Sequence, residues 1–533
     1  MTDAPGDEPG AASEPSLRSV GRSAAILTGG TFAVQAIGIL RELFIAAQVG
    51  LSRDLDALLI AMVLPTTLAG VLTSGIVTAL VPAYVETRDT GGRALARRFS
   101  GAVLAWIGLA GIALSLALWA FASPIISVAG PGLDAPSHDA AVRYLYVLAP
   151  VAFLAAVNGI LYSLCQAEDL FAAIAIGSFV GTVTTFAIML VLWASLNLMA
   201  LAVGTLVGQL VGVLILLIAT ARASAAPHLT LRSKGLEFGA FLRHAAPLTL
   251  SSAILQVNVV FDRAIASLLA PGGVSALRYA EVLVRTPISA ISPAWGSAIY
   301  PTLVRAARDR DSSLASTTSR SLRFAIAVFV PIAALTAAVA PVAVAVAYGR
   351  GAFGPEDVQQ TAHVVAAFAP LIVILMTSPV LAGAHNARRS GTVLLAGGII
   401  NVIFNVTLDV LFGLWIGVAG IALSSAVAST IVVTFFAWRL SRDDRAFDLR
   451  PIGRVLGLAL AASVVPAVIV AAIAWSGAIP TNLIVELVAL ALFGVLGLGA
   501  FVLASRLVGL EEPMVLVRAV RGVVDRRRAV GAA

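Results

Sequence analysis

Apolar runs of eighteen or more residues recur along this chain from about residue 24 to about residue 507. A helix of that length crosses a hydrocarbon layer of about 30 Å. Fourteen such segments can be marked: 24–49, 56–84, 99–122, 140–165, 170–193, 197–221, 237–269, 274–304, 321–347, 360–385, 391–413, 416–440, 453–476 and 483–507. Segments 2, 7 and 8 exceed a simple span, so tilt, kinks or ends projecting into water are expected there. With 59% hydrophobic and 12% charged residues and a mean hydropathy of +0.98, a soluble globular class is excluded. The expected fold is an all-α polytopic membrane protein.

The second half of the chain repeats the first. Ala149-Pro150 answers to Ala369-Pro370, Gly177-Ser178 to Gly397-Gly398 and Leu201-Ala202 to Ile421-Ala422, each 220 residues later. Pro82 and Pro301 lie 219 apart, and Arg41 and Arg263 lie 222 apart. Each repeat holds six segments, an even number, so both halves share one orientation, as in transporters built from parallel repeats. The expected organisation is a polar, disordered tail (1–22), a first lobe (23–221), a cytoplasmic linker (222–240) and a second lobe (241–440). A two-helix appendix (441–509) and a basic tail (510–533) follow. The linker is expected to be partly an interfacial helix, and prolines inside segments, Pro150 and Pro370 among them, are expected to kink helices or open their hydrogen bonding.

The net charge of +7 and a pI near 10.1 would point to nucleic acid in a soluble chain. Here the arginines fall in alternate links instead. Arg88, Arg93, Arg97 and Arg98 lie between segments 2 and 3, and Arg305, Arg308, Arg310, Arg320 and Arg323 flank the link between 8 and 9. By the positive-inside rule these links, and both termini, face the cytoplasm. Glu168 and Asp169, in the link between 4 and 5, are the exception. Cys165 is the sole cysteine, so neither a disulfide within the chain nor a thiolate metal site is available. The chain carries no phosphate-cradling P-loop, H-E-x-x-H motif or nucleophile elbow. A non-enzymatic transporter without cofactor is expected, driven by a membrane potential or an ion gradient.

Charges inside the spans mark the candidate site. A charge at the bilayer centre costs about 2.5–3.5 kcal/mol even on the lenient insertion scale. Segments 1, 2, 7 and 8 nevertheless carry Arg41, Glu42, Asp56, Asp262, Arg263, Arg278, Glu281 and Arg285. Arg278, Glu281 and Arg285 follow i, i+3, i+7 spacing and share one helix face, which should line water or the other lobe rather than lipid. Two readings follow from the residues. One is a cationic cavity for an anionic headgroup, with carboxylates holding the arginines; the other is an ion-pair network that locks the lobes. Asp56, Asp262 and Arg278 lie near span ends, where snorkelling to the interface is a further reading. Asn258, Asn401 and Asn405 read as interhelical hydrogen-bonding residues.

The stretch Gly38-Ile39-Leu40-Arg41-Glu42, followed by Asp56-Ala57, Pro65, Gly75 and Val81-Pro82, resembles the MurJ/MviN lipid II flippases. So do Tyr279-Ala280-Glu281 through Pro287 to Tyr300-Pro301, the loop Tyr348-Gly349-Arg350-Gly351-Ala352-Phe353, and His385-Asn386-Ala387-Arg388 with Asn401 and Asn405. The resemblance spans roughly residues 24–450. It implies a two-lobed, alternating-access flippase of the MOP exporter superfamily in the bacterial plasma membrane. The implied cargo is a polyprenyl-pyrophosphate-linked peptidoglycan precursor, moved from inner to outer leaflet for cell-wall synthesis. The implied partners are that glycolipid, the bilayer and cell-wall synthesis proteins, with no nucleic acid. Of the expected substrate-binding set, the resemblance implies Arg41, Glu42 and Asp56, and the charges within the spans add Arg263, Arg278, Glu281 and Arg285. Basic residues of the family would fall at Gln35, Ala69 and Val282, none of which is basic here. A flippase for another polyprenyl-linked saccharide and a non-transporting scaffold are the alternatives.

Overall fold

The computed structural model describes residues 17–232, 238–308, 313–388 and 390–514. The chain runs through α1 (Leu17–Val49), α2 (Arg53–Ala120), α3 (Ala122–Ala129), α4 (Ala135–Ala167), α5 (Phe171–Leu196) and α6 (Leu198–Arg222). It then continues with α7 (Phe238–Leu269), α8 (Gly273–Arg308), α9 (Ser313–Ala338), α10 (Ala340–Tyr348), α11 (Pro355–Phe368), α12 (Leu371–Ala387), α13 (Gly391–Ile416) and α14 (Val418–Asp443). Two more helices, α15 (Arg450–Ala474) and α16 (Leu483–Leu507), close the described chain, and no strand occurs among the described residues.

Eleven of the described helical stretches are long and apolar enough to cross a membrane. The 68-residue α2 accounts for segments 2 and 3 together. Gly92, with φ 78°, interrupts it in a conformation that only glycine adopts without strain. The charged α7 and α8 are not among those eleven. Segment 10 is divided instead: α11 and α12 meet at Pro370, whereas Pro150, at the same repeat position, sits inside an unbroken α4. Ser52 and Asp134 cap α2 and α4, accepting hydrogen bonds from the Leu55 and Ser137 amides.

Packing repeats as the sequence does. α1 lies against α5, α5 against α6 and α4 against α6; correspondingly α7 lies against α13, α13 against α14, and α11 and α12 against α14. α15 lies along α9 and carries α16 at the outside of the second half. One apolar core spans both halves where α1 ends and α2 begins, joining Ile45, Leu58 and Leu148 to Tyr279, Val365 and Ile421. At the opposite ends the halves keep separate cores, one around Leu80, Phe99 and Leu161, the other around Leu303, Leu381 and Phe436. There the halves meet chiefly through α2 and α7. Gly75 comes so close to Thr249 that a Cβ would collide with its backbone, and Phe99 meets Phe241 edge to face at 5.4 Å.

The ends of the expected organisation are only partly within view. Residues 1–16 and 515–533 of the two tails, and 233–237 of the linker, lie outside the described residues. α1 starts at Leu17, inside the segment expected to be a disordered tail. Of the linker 222–240, residues 223–232 are not helical and residues 238–240 begin α7. The non-helical part lies on the first half: the His228 amide donates to the Arg97 carbonyl (2.9 Å), and Arg97 Nε donates to the Ala226 carbonyl (2.8 Å).

Candidate functional site

The charged segments meet at the seam between the halves. α1 brings Arg41 and Glu42, α7 brings Arg263, and α8 brings Arg278, Glu281 and Arg285. Glu42 Oε1 accepts from Arg41 Nη2 (3.2 Å) and, across the seam, from Arg278 Nη2 (2.8 Å). Glu281 accepts from Arg263 Nη2 (2.7 Å) and pairs with Arg285 Nε (3.0 Å) one turn along its own helix. Arg278 thus reaches the other half, whereas Glu281 and Arg285 meet Arg263 and each other within their own half, with the Arg285 side chain 45% exposed. Each glutamate is held between two guanidiniums. Four arginines less two glutamates leave a net +2 when all are ionised.

Arg41, Glu42, Arg263, Arg278 and Tyr279 line a cavity of 180 Å³ whose other walls include Leu59, Met62 and Val151. Arg285 lies outside it. With Glu281 it lines an adjoining cavity of 170 Å³, and Arg263 walls both. A third space of 240 Å³ opens from Arg41, Glu42 and Arg278 toward Gln35, Val282 and Thr286. Arg278 thus sits beside Val282, one of the positions where a family arginine is absent. Gln35 donates to Ser289 Oγ (3.0 Å), a neutral contact from α1 to α8, and Ala69 is buried away from these cavities. Two buried donors, Arg41 Nε and Tyr279 Oη, have no protein partner and belong to residues of the 180 Å³ cavity. Unpaired buried donors are uncommon and mark a place for a ligand or water.

Asp56 stands apart from this set. Its carboxylate is 2% exposed and accepts from the Ser275 amide (2.7 Å) and the Ser275 hydroxyl (2.9 Å) at the start of α8. It caps a helix of the opposite half and does not face the cavity, because the free amides in the first turn of α8 supply a closer partner than any guanidinium. Nearby seam contacts run the same way. The Ala352 amide donates to the Ala47 carbonyl (2.8 Å) and the Gly132 amide to Ser267 Oγ (3.1 Å). Gly351, with φ 65°, sits where a Cβ would collide with the Ala47 carbonyl.

Sequence reasoning missed a second buried group. Asp409 of α13 lies within hydrogen-bonding reach of Asp262 of α7. Ser424 Oγ and Asn405 Nδ2 donate to Asp409 Oδ1, the latter at 3.2 Å, and Asn258 Nδ2 donates to Asn401 Oδ1 (2.9 Å). Asp262 Oδ1 and Asp409 Oδ2 are buried without a protein donor. Two such carboxyls in contact are stable with a proton shared between them or a monovalent cation beside them. No group of three or more His, Cys, Asp or Glu with metal-holding geometry occurs among the described residues. A signal for Asp409 was available: 401, 405 and 409 follow i, i+4, i+8 spacing on one face of segment 11.

The sequence profile of the family described as "Lipid II flippase MurJ" matches residues 45–494. The chain belongs to the MurJ family. A relative from Synechocystis sp., described as a probable lipid II flippase MurJ, is 26% identical over 468 residues, covering 84% of this chain and 87% of that one. The solved structure of a lipid II flippase MurJ in an inward closed conformation aligns with a TM-score of 0.74 at 20% identity, over 92% of this chain and all of the other. An inward-facing multidrug resistance MATE transporter of the MOP superfamily aligns at a TM-score of 0.60 and 14% identity, over 76% and 98% of the two chains. The fold of the MurJ structure is thus shared over 92% of this chain, and that of the MATE structure over 76%.

Proposed function

We propose that this chain is a transporter that carries lipid II from the inner to the outer leaflet of the bacterial plasma membrane by alternating access. The observation that carries this reading is the cluster of four arginines and two glutamates at the seam, with two unpartnered donors, in a member of the MurJ family. A pyrophosphate diester carries two negative charges, which balance the net +2 of that cluster. Arg41, Arg263, Arg278 and Arg285 neutralise the pyrophosphate, Glu42 and Glu281 hold them in place, and the polyprenyl tail stays in lipid. Asp56 belongs to the closure between the halves and not to the headgroup set.

The two six-segment halves act as lobes (23–221 and 241–440) joined by the linker 222–240, with α15 and α16 as an appendix. Counting α2 twice and adding α7 and α8 to the other spans gives fourteen crossings. Arginine placement in alternate links supports cytoplasmic termini. An interior-negative potential favours outward movement of an anionic headgroup by about 4–5 kcal/mol per 100 mV for two charges. The Asp262–Asp409 pair adds a group through which a proton or a monovalent cation couples to lobe movement.

Complementation tests the reading. Expression of this chain in cells depleted of their lipid II flippase is expected to restore growth and cell shape. Failure to do so at normal membrane levels would overturn it.

A further inference from the structure

The two halves enclose matching cavities whose chemistry has diverged. The 170 Å³ cavity of the second half is walled by Asn401, Asn405, Ser425 and Ser429. Subtracting 220 from each gives Gly181, Thr185, Thr205 and Gln209, and all four line a 320 Å³ cavity inside the first half, between α1, α4, α5 and α6. Arg41 walls this one as Arg263 walls the other, at the 222-residue offset. The carboxylates have no counterpart: Asp262, which lines the cavity, answers to Leu40 (262 − 222), and Asp409, which lies against Asp262 outside the lining, answers to Met189 (409 − 220).

The first-half cavity therefore holds amides, hydroxyls and one guanidinium, with no acidic side chain. The side chains of Asn158, Tyr162, Ser178 and Gln209 make no hydrogen bond to another described residue, so donors and acceptors are both free there. The Thr182, Thr185 and Thr205 hydroxyls donate to carbonyls of their own helices (2.8, 3.1 and 2.7 Å), leaving their oxygens as acceptors. The volume reaches the lower end of the range for small-molecule sites, about 300–1,000 Å³. The cavity also joins the seam: Arg41, Met62 and Thr205 line both it and the 180 Å³ cavity.

We propose that this first-half cavity is a sugar subsite, taking a neutral, acetamide-bearing hexose of the headgroup while Arg41 spans sugar and pyrophosphate. A hexose presents hydroxyls that both donate and accept, and its acetamide does the same, which matches this mixed, uncharged lining. The inference rests on the reading of the cargo as a lipid-linked glycan and names the wall that recognises the glycan.

The test compares two lipids on the purified full chain in detergent or nanodiscs: lipid II, and undecaprenyl pyrophosphate, which lacks the sugars. Asn158→Leu and Gln209→Leu are each expected to weaken lipid II binding about tenfold, with undecaprenyl pyrophosphate unchanged within about twofold. In the unaltered protein, lipid II and not undecaprenyl pyrophosphate is expected to protect Tyr162 from oxidative footprinting, a readout independent of how the variants fold. Equal loss for both lipids, or no loss together with equal labelling of Tyr162, overturns the subsite alone. An unaltered protein that binds neither lipid overturns the subsite and the functional reading together.

Discussion

The second half lines its cavity with the carboxyls of Asp262 and Glu281 and buries Asp409 against Asp262, and the cavity of the first half, built on the equivalent helices one repeat earlier, has no acidic lining. The difference teaches how a duplicated bundle acquires a direction. Both copies use small and polar residues to open space between neighbouring helices, and both line that space with an arginine at matching repeat positions, Arg41 and Arg263. The second copy adds carboxyls, and the first leaves the amides of Asn158 and Gln209 and the hydroxyls of Tyr162 and Ser178 without partners among the described residues in a cavity of 320 Å³. The proposed coupling and recognition groups thus lie in different halves, which Glu42 and Arg278 bridge at 2.8 Å.

Installing the missing acid should have the largest effect. Met189 is fully buried, so Met189→Asp puts an uncompensated carboxylate where Asp409 has Ser424, Asn405 and Asp262 beside it. A loss of stability of about 3–5 kcal/mol is expected, read by thermal unfolding in detergent. Wild-type stability in that variant would mean that the two cavities are not the distinct environments described. Removing the existing acids is the converse. Asp262→Asn with Asp409→Asn is expected to remove the dependence of flipping on pH or monovalent cation, a coupling of about 1–3 kcal/mol, or 5–150-fold. Unaltered ion and pH dependence in proteoliposomes would take the coupling role from the pair. The seam gives an effect of similar size. Asp56→Ala should release the start of α8 at a cost of about 1.5–3 kcal/mol, lowering the disulfide yield between cysteines placed at Ala47 and Ala352. An unchanged yield would show that the cap does not hold the halves together.

Much of this was legible in the sequence, for identifiable reasons. Spans announce themselves because hydrocarbon tolerates so few charges, and so the charges of segments 1, 7 and 8 stand out against an apolar background. Helical spacing then put Arg278, Glu281 and Arg285 on one face. What the sequence did not contain was partner choice. Glu42 pairs with Arg278, 236 residues away, a contact that only the folding of one half against the other creates. Asp56 looked like a cavity residue because its charge lies in a span, yet a backbone amide and a hydroxyl at a helix start satisfy it. Asp409 escaped because it is a single charge one turn beyond two asparagines, Asn401 and Asn405, that read as helix-packing residues. Glu168, the acidic exception among the basic links, accepts from Tyr84 (2.8 Å) and pairs with Arg88 (3.4 Å). At the same repeat position the second half carries Arg388, bonded to Asp444 at 2.8 Å, so a charge that opposes the topology rule in one half is neutralised within the structure.

The most direct test of the headgroup site is the amount of lipid II in the outer leaflet of flippase-depleted cells that express this chain as their only replacement. With the unaltered chain, outer-leaflet lipid II should return to normal. Arg41→Ala and Arg285→Ala, at equal membrane abundance, should each reduce it by at least about tenfold, the loss of one charge-assisted contact of roughly 1.5–3 kcal/mol. Normal outer-leaflet lipid II in both variants would contradict the account.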